Sequence, residues 1–166
     1  MQNCYKILIN LFARPALLFV LFTTGCAAHA QIQSVTVAQN MSFGAFSRGN
    51  NGGTITISNS GTRSVTGDVA LLNLGISYYE SIFEVEAALG TVVSITNGPN
   101  VTLTGSNGGT MTMQIGSSNP ASPFINSVAP PGRTAVRIGG TLTVGNATAS
   151  PAGSYSGTFN ITFHNE

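Results

Sequence analysis

The fold class is decided by a six-residue stretch, Thr110-Met111-Thr112-Met113-Gln114-Ile115, in which polar and apolar residues alternate. Successive side chains of a β-strand point to opposite faces, so the alternation gives this stretch one apolar face and one polar face. The same pattern occurs in Thr54-Ile55-Thr56-Ile57 and in Thr141-Leu142-Thr143-Val144. We therefore expect half-buried strands at all three places.

A pair of glycines precedes each of these stretches: Gly52-Gly53, Gly108-Gly109 and Gly139-Gly140. Glycine tolerates a positive φ, so such pairs are typical of turns that lead into a strand. The pairs are 56 and 31 residues apart, which is too unequal for a solenoid or a propeller. The pattern favours one antiparallel fold that uses the same turn and strand unit repeatedly.

Further strands are expected over 32–37, 41–46, 64–72, 82–87, 91–95, 101–104, 135–138 and 154–163. Gly67 interrupts one of them and predicts a bulge. In another, Glu84 and Glu86 alternate with apolar residues and predict a solvated face. Turn signals separate the strands, which predicts an all-β, antiparallel, immunoglobulin-like sandwich of roughly eight to ten short strands. The long polar stretch 116–133 is the expected large loop.

Charge is scarce from residue 31 onward, where the chain has five acidic residues and four arginines. Four scattered arginines do not form the basic surface that nucleic acids or anionic lipids require, so no nucleic-acid partner is expected. Gly, Thr, Ser and Asn make up nearly half of this part of the chain. Such a composition disfavours a helical bundle, and its many β-branched residues with little charge disfavour disorder.

Residues 1–30 have the features of a cleavable export signal. Lys6 and Arg14 give a positive start, 16–22 is apolar, and Ala28-His29-Ala30 predicts cleavage before Gln31. The apolar run is far shorter than the roughly 20 residues that span a bilayer, so no transmembrane segment is expected after cleavage. We therefore expect a single exported domain, 31–166, in the periplasm, at the cell surface or outside the cell.

One alternative to signal cleavage is a lipoprotein. Thr23-Thr24-Gly25-Cys26 resembles the bacterial lipoprotein box, although that box has an aliphatic residue where Thr23 stands. Processing at this point would leave an acylated Cys26 anchored to a membrane. Residues 31–166 contain no cysteine, so in either case the domain is expected to be stabilised by its core without disulfides.

The residue types that catalysis and metal binding require are rare after residue 30. His164 is the only histidine there, and it falls on the polar face of the last strand. Glu84 and Glu86 are about 7 Å apart on one strand face, a distance that a glycosidase pair can have. Such pairs come from different strands that line a cleft, so a solvated outer face is favoured here. Asp68 is the only aspartate. We therefore expect no catalytic residues, no metal, no cofactor and no enzymatic activity.

Two sets of residues are candidates for binding instead. Tyr78 and Tyr79 are consecutive, so a strand there exposes one of them, and Phe124 lies in the long loop; exposed aromatic rings can stack on sugars. Arg133 and Arg137 flank a predicted strand, where they could bind an anionic ligand or protect a sheet edge with charge.

Two parts of the chain resemble a known family. The first consists of 41–46 with 52–57 and 62–67, and the second consists of 139–142 with 152–159. Together they are similar to the bacterial domain-of-unknown-function 4402 family, and the resemblance spans nearly all of residues 31–166. It implies a small exported β-domain, and the family has no established activity.

The end of the chain resembles the subunits of chaperone–usher pili. Those subunits carry a glycine fourteen residues from the C-terminus, then alternating apolar residues and a penultimate tyrosine. The matching positions here are Gly153, Tyr155, Phe159, Ile161 and Phe163, while Asn165 stands where the tyrosine would be. The resemblance implies a groove, lined by these five residues, that accepts a strand from another subunit.

Two functions therefore remain open. The first is an exported, non-enzymatic structural or adhesive surface protein, a pilus-like subunit that assembles by strand addition with copies of itself or with an assembly chaperone. The alternative is a monomeric secreted module that binds a glycan or a peptide through its loops, chiefly 116–133. In the second case the five groove residues are ordinary core residues of a complete sandwich, and alternation alone does not separate the two.

Overall fold

The computed structural model describes residues 31–166, so the predicted signal and the alternative acylation at Cys26 lie outside the described residues. The described secondary structure consists of thirteen β-strands, which confirms the predicted all-β class. They are β1 (Ile32–Gln39), β2 (Ser42–Phe43), β3 (Phe46–Ile57), β4 (Arg63–Leu71), β5 (Tyr78–Tyr79), β6 (Ser81–Ala87), β7 (Val92–Asn97), β8 (Val101–Gly105), β9 (Thr110–Asn119), β10 (Phe124–Ile125), β11 (Thr134–Val144), β12 (Tyr155–Ser156) and β13 (Ile161–Asn165). Within this range no helix is long and apolar enough to cross a membrane.

All strand ladders are antiparallel, and β11 is the centre of the main sheet. On one side of β11, β6 pairs with its first half and β3 with its second half, while β9 pairs with the opposite side. The sheet continues to β1 beyond β6, to β4 beyond β3, and to β8 and β12 beyond β9. A three-stranded sheet, β10-β7-β13, and the short pair β2-β5 complete the fold.

The core lies on the inner face of the main sheet. Its largest fully buried apolar side chains are Ile55, Ile57, Val85, Val136, Ile138 and Leu142. Burying one such side chain contributes about 1.5–3 kcal/mol to folding. Strands of the three-stranded sheet pack against this core, which is consistent with the predicted sandwich.

The alternating stretches form strands with the predicted faces. Met111, Met113 and Ile115 are buried in β9, and the polar residues between them are exposed. β9 continues to Asn119, and β10 forms at Phe124–Ile125, so the stretch predicted as one long loop contains parts of two strands.

Only one of the three glycine pairs forms the predicted turn. Gly108-Gly109 has positive φ at both residues and connects β8 to β9. Gly52-Gly53 lies inside β3 and Gly139-Gly140 inside β11. A Cβ at Gly139 would overlap the carbonyl oxygen of Ile57, so glycine is needed there for the close approach of two backbones.

The last predicted strand, 154–163, forms two short strands in different sheets. β12 pairs with β8 in the main sheet, and β13 pairs with β7 in the three-stranded sheet. Between them the chain crosses from one sheet to the other. The apolar side chains of both strands and of the crossing still pack against the core, because the alternation is kept across the crossing.

Candidate functional site

An apolar cleft opens onto the core at one end of the main sheet. One wall is the segment 41–48 and the other is the segment 150–159. The cleft has a volume of about 730 Å³. We call it the core cleft.

The floor of the core cleft consists of side chains from three neighbouring strands. Leu103 comes from β8, Met111 and Met113 from β9, and Leu142 from β11. These strands alternate polar and apolar residues, so all four side chains point to the same inner face. The floor of the cleft is therefore made of core side chains, which are 2–9% exposed.

Aromatic side chains line both walls. Tyr155 and Phe159 are on one side, and Phe43 and Phe46 are on the other. The hydroxyl of Tyr155 donates a hydrogen bond to the carbonyl oxygen of Pro151 at 2.6 Å, which fixes the ring in the wall. The aromatic rings thus give each wall of the core cleft a flat apolar surface.

Arg48 ties the two walls together. Its Nε donates to the carbonyl oxygen of Ser150, and its Nη2 donates to that of Ala147 at 3.3 Å. Leu74 and Ile76 also line the cleft, and they are 67% and 60% exposed. Exposed aliphatic side chains beside an apolar cleft enlarge the surface that a partner can cover.

One edge of β13 is free. Gly98 N–H donates to Asn160 O and Glu166 N–H donates to Val92 O, each at 3.0 Å, at the two ends of the β7–β13 ladder. Because hydrogen-bonded pairs alternate in an antiparallel ladder, the even-numbered residues of β13 bond to β7. The odd-numbered residues 161, 163 and 165 therefore point their N–H and C=O groups away from β7. Among residues 31–166, β13 has no second strand partner.

The five residues predicted to form a strand-exchange groove are divided between the core cleft and β13. Gly153, Tyr155 and Phe159 line the cleft. Ile161 and Phe163 lie on β13, with half-buried side chains packed against the core. The predicted residues thus belong to two adjoining features, an apolar cleft and a strand with a free edge.

Phe83 of β6 links these two features. Its ring centroid lies 6.4 Å from that of Phe159 and 5.6 Å from that of Phe163. Such distances are typical of packed aromatic pairs. The sequence identified this apolar face of β6 but could not place it beside the end of the chain.

The opposite wall of the cleft was missing from the predicted groove. Phe43 and Phe46 belong to the segment 41–46, which the sequence predicted as a strand. Only tertiary structure places this segment across from Tyr155, since more than one hundred residues separate the two walls. The nearest sequence signal was the presence of two aromatic residues three positions apart.

The other candidate residues are arranged differently. His164 is exposed on β13. Glu84 and Glu86 both contact Arg133, with nitrogen–oxygen distances of 3.6 and 3.2 Å. Arg137 pairs with Glu80, which is buried. Both arginines considered for anion binding therefore already have acidic partners within the domain.

The tyrosine pair also differs from expectation. Tyr78 and Tyr79 are both exposed, whereas a regular strand would bury one of them. The reason is that β5 has only two residues and pairs only with β2, outside the two larger sheets. Within the described part of the chain, no group of three His, Cys, Asp or Glu side chains is placed to hold a metal ion.

The family model of the domain of unknown function DUF4402 matches residues 33–164. The match includes both walls and the floor of the core cleft, and all but the last residue of β13. No curated protein and no solved structure shows significant similarity to the chain. The chain belongs to the DUF4402 family.

Proposed function

We propose that this protein is a non-enzymatic structural subunit of an exported assembly, in which the core cleft accepts a β-strand from a second copy. The observation that carries the proposal is the combination of an apolar cleft over the core with a free edge on β13, the strand that follows the cleft wall in sequence. Strand addition uses both features, because main-chain hydrogen bonds give affinity and side-chain pockets give specificity.

The free edge of β13 supplies the main-chain part of this interaction. Residues 161, 163 and 165 each offer one N–H and one C=O to an incoming strand. Each such hydrogen bond contributes about 0.5–1.5 kcal/mol net. Apolar side chains of the same strand would enter the cleft between Phe43 and Tyr155, and each would gain about 1.5–3 kcal/mol on burial.

Strand β1 of a second copy has the properties that the cleft requires. Residues 32–39 carry no charge. Val35 and Val37 pair with inward-facing residues of β6, yet they are 38% and 57% exposed. The register of β1 shifts between Ile32 and Ser34 and again after Val37, so the strand is irregular at both ends. An edge strand with exposed, alternating valines is suited to pairing with another chain.

Cysteine cross-linking tests the proposal directly, because residues 31–166 contain no cysteine of their own. Two forms of the chain with different tags are exported together, one carrying Val37→Cys and the other Ser156→Cys. Ser156 lies on β12 in the cleft wall, so a disulfide-linked pair is expected after mild oxidation. The matched control replaces Ser156→Cys by Thr112→Cys, which is exposed on the outer face of β9 and should not cross-link.

Sheared cells provide the second test. Released protein is run on a denaturing gel with and without boiling, and multiples of the monomer that disappear on boiling are expected. A single monomer band in both lanes, together with no specific cross-link, would contradict strand addition. That result would favour the alternative of a monomeric secreted module that binds a glycan or a peptide through residues 116–133.

A further inference from the structure

Large apolar side chains are exposed in three places of the described domain. There are nine of them, and two, Val35 and Val37, lie on β1. Five more lie at the end of β4, on β5 or between these strands, and we call them the 71–79 patch: Leu71, Leu74, Ile76, Tyr78 and Tyr79. The last two, Leu89 and Ile125, form what we call the 89/125 patch. Apolar side chains that are exposed in groups, not singly, mark an interaction surface.

The 71–79 patch is continuous and contains no charge of its own. Residues 71–79 include no acidic or basic side chain, and most of them line one depression of the surface together with Arg63. The guanidinium of Arg63 packs on the ring of Tyr78, with 4.3 Å between Cζ and the ring centroid. Leu74 and Ile76 also line the core cleft, so the patch adjoins the cleft. The patch is thus an apolar surface with one cation at its border.

This cation has no acidic partner in its own domain. Arg63 contacts no carboxylate among residues 31–166, and its Nη1 donates to Phe43 O at 2.9 Å and Ala45 O at 3.4 Å. Nε is buried, whereas Nη2 makes no hydrogen bond and is not among the buried atoms of the described residues. Nη2 is therefore the atom that can donate to an acid of another molecule.

The 89/125 patch carries an acid without a basic partner. Leu89 lies between β6 and β7, Ile125 pairs with Val92, and a backbone hydrogen bond of 2.8 Å joins the residues that follow them. Glu166 lies on the other side of Val92, because its N–H donates to Val92 O at 3.0 Å. Glu166 is exposed and pairs with no arginine among the described residues. The two patches are therefore both apolar, and their neighbouring charges are opposite.

The length of β6 separates the two patches. Tyr79 lies two residues before this strand, and Leu89 lies two residues after it. The seven residues of β6 extend over about 23 Å. The patches of one chain therefore do not cover each other, whereas patches of two different copies can meet.

We propose that the 71–79 patch of one copy binds the 89/125 patch of a second copy, with Arg63 paired to Glu166. The inference rests on the proposed function, because its partner is a second copy of this chain, but the contact needs no exchange of a strand. Contact between two different patches leaves one of each patch free, so assembly continues into a chain of copies. A lipid bilayer would also accept an uncharged apolar loop, but it would give no role to the matching acid beside the second patch.

Sedimentation velocity of the purified, full exported chain tests the contact. A contact between two small patches is expected to be weak, so concentrations from about 10 μM to 1 mM cover the range in which it forms. The average mass should rise with concentration beyond that of a dimer, because the contact is heterologous. A mass that stops at the dimer would overturn the proposal.

Exchanging the two charges tests the pairing of Arg63 with Glu166. Arg63→Glu and Glu166→Arg each bring like charges together, so each should weaken association by about tenfold or more. The double variant should restore association to within about threefold of the unchanged chain. It also has the net charge of the unchanged chain, so recovery would not be an effect of net charge. Failure of the double variant to recover would overturn the pairing.

Leu89→Asp keeps the test valid if Arg63→Glu does not fold. Leu89 is 64% exposed and lies outside the core cleft, so its replacement should leave the fold and the cleft intact. Association should fall by about tenfold or more, since a charge replaces an apolar contact. Thr112→Asp, on the outer face of β9, is the matched control and should leave association unchanged. Equal association of both variants would overturn the proposal.

A chain with Val35→Asp and Val37→Asp distinguishes this contact from strand addition, because its β1 cannot enter an apolar cleft. Association through the two patches should persist in this chain, and its loss would overturn the proposal. Persistent association without a disulfide between Val37→Cys and Ser156→Cys would support the patch contact and contradict strand addition. Absence of self-association up to 1 mM would overturn the patch contact, and binding of the monomer to phosphatidylcholine vesicles would then assign the 71–79 patch to a bilayer.

Discussion

Asn126 is the most extensively bonded side chain of the described domain. Its Nδ2 donates to the carbonyl oxygens of Ala87 at 2.7 Å, Ala88 at 3.1 Å and Val128 at 2.7 Å, and its Oδ1 accepts from the Thr134 hydroxyl at 2.7 Å. One buried amide thus connects the end of β6 to the segment between β10 and β11. Because these bonds join segments far apart in sequence, no local pattern identified Asn126 in advance.

Asn126→Asp should therefore destabilise the protein strongly. An ionised carboxylate cannot donate, so it would face three carbonyl oxygens in a buried site, at a cost of about 3–5 kcal/mol. Urea unfolding at pH 7 measures this change in the free energy of unfolding. Asn119→Asp, at an exposed position, is the control and should change it by less than about 0.5 kcal/mol. Equal effects at both positions would show that the amide network is not important for stability.

Arg133 and Arg137 provide a second comparison at the residue scale. Both arginines pair with glutamates that lie on β6 or directly before it. The side chain of Glu80 is only 7% exposed, while its partner Arg137 is 47% exposed. Arg137→Ala leaves a buried carboxylate unpaired, and the half-exposed partner reduces the expected cost to about 1–3 kcal/mol. Arg133→Ala removes more exposed pairs and should cost about 0–1 kcal/mol. Thermal unfolding of the two variants side by side gives the difference, and the reverse order would contradict the burial argument.

At the scale of strands, alternation predicted the strands but not where each one goes. β9 and β6 follow their patterns closely, because a half-buried strand must alternate. The stretch 154–163 alternates equally well, yet it forms β12 in one sheet and β13 in another. Alternation reports which side chains face the core, and it contains no information on which neighbour a strand pairs with. The sequence therefore identified inward-facing residues at the end of the chain, while the second wall of the core cleft came from tertiary structure.

Gly139 illustrates the same limit for glycine. The sequence predicted a turn at Gly139-Gly140, whereas the pair lies in the middle of β11, at a register shift against β9. The close approach of the Ile57 carbonyl explains why only glycine fits. Both uses of glycine give the same sequence signal, so the sequence alone does not distinguish a turn from a backbone contact.

Gly139→Ala should therefore lower the free energy of unfolding more than Gly→Ala at a site where the only cost is a positive φ. The added Cβ would overlap backbone atoms that cannot move freely, at about 1–3 kcal/mol or more. Gly75→Ala is the matched control, because Gly75 has a φ of +75° and no atom near its missing Cβ. It should cost only about 1 kcal/mol. Chemical denaturation of both variants measures the two costs, and a smaller effect at Gly139 would contradict the overlap.

At the scale of the whole molecule, composition predicted the fold class better than the function. Scarce charge, frequent β-branched residues and regular alternation lead to an all-β antiparallel domain, which the structure confirms. The proposed function depends on the core cleft, and a cleft between distant segments has no sequence pattern of its own. Leu103 and Met113 read as ordinary core residues whether or not a strand covers them. The core cleft lies between segments that are far apart in sequence, so only the tertiary structure defines it.

Binding of a β1 peptide to the core cleft can be measured through the thermal stability of the whole domain. A synthetic peptide of residues 31–40 should occupy the core cleft of the purified exported protein and raise its midpoint of thermal unfolding. A ligand present at one hundred times its Kd stabilises the native state by about 2.7 kcal/mol, which corresponds to a rise of roughly 5–10 °C for a domain of this size. The control peptide carries Val35→Asp and Val37→Asp, which place charges where the cleft is apolar, and it should have no effect. If neither peptide raises the midpoint at millimolar concentration, β1 is not the strand that the cleft accepts. A rise with both peptides would mean that binding does not depend on the two valines, which would equally contradict insertion of β1 into the cleft.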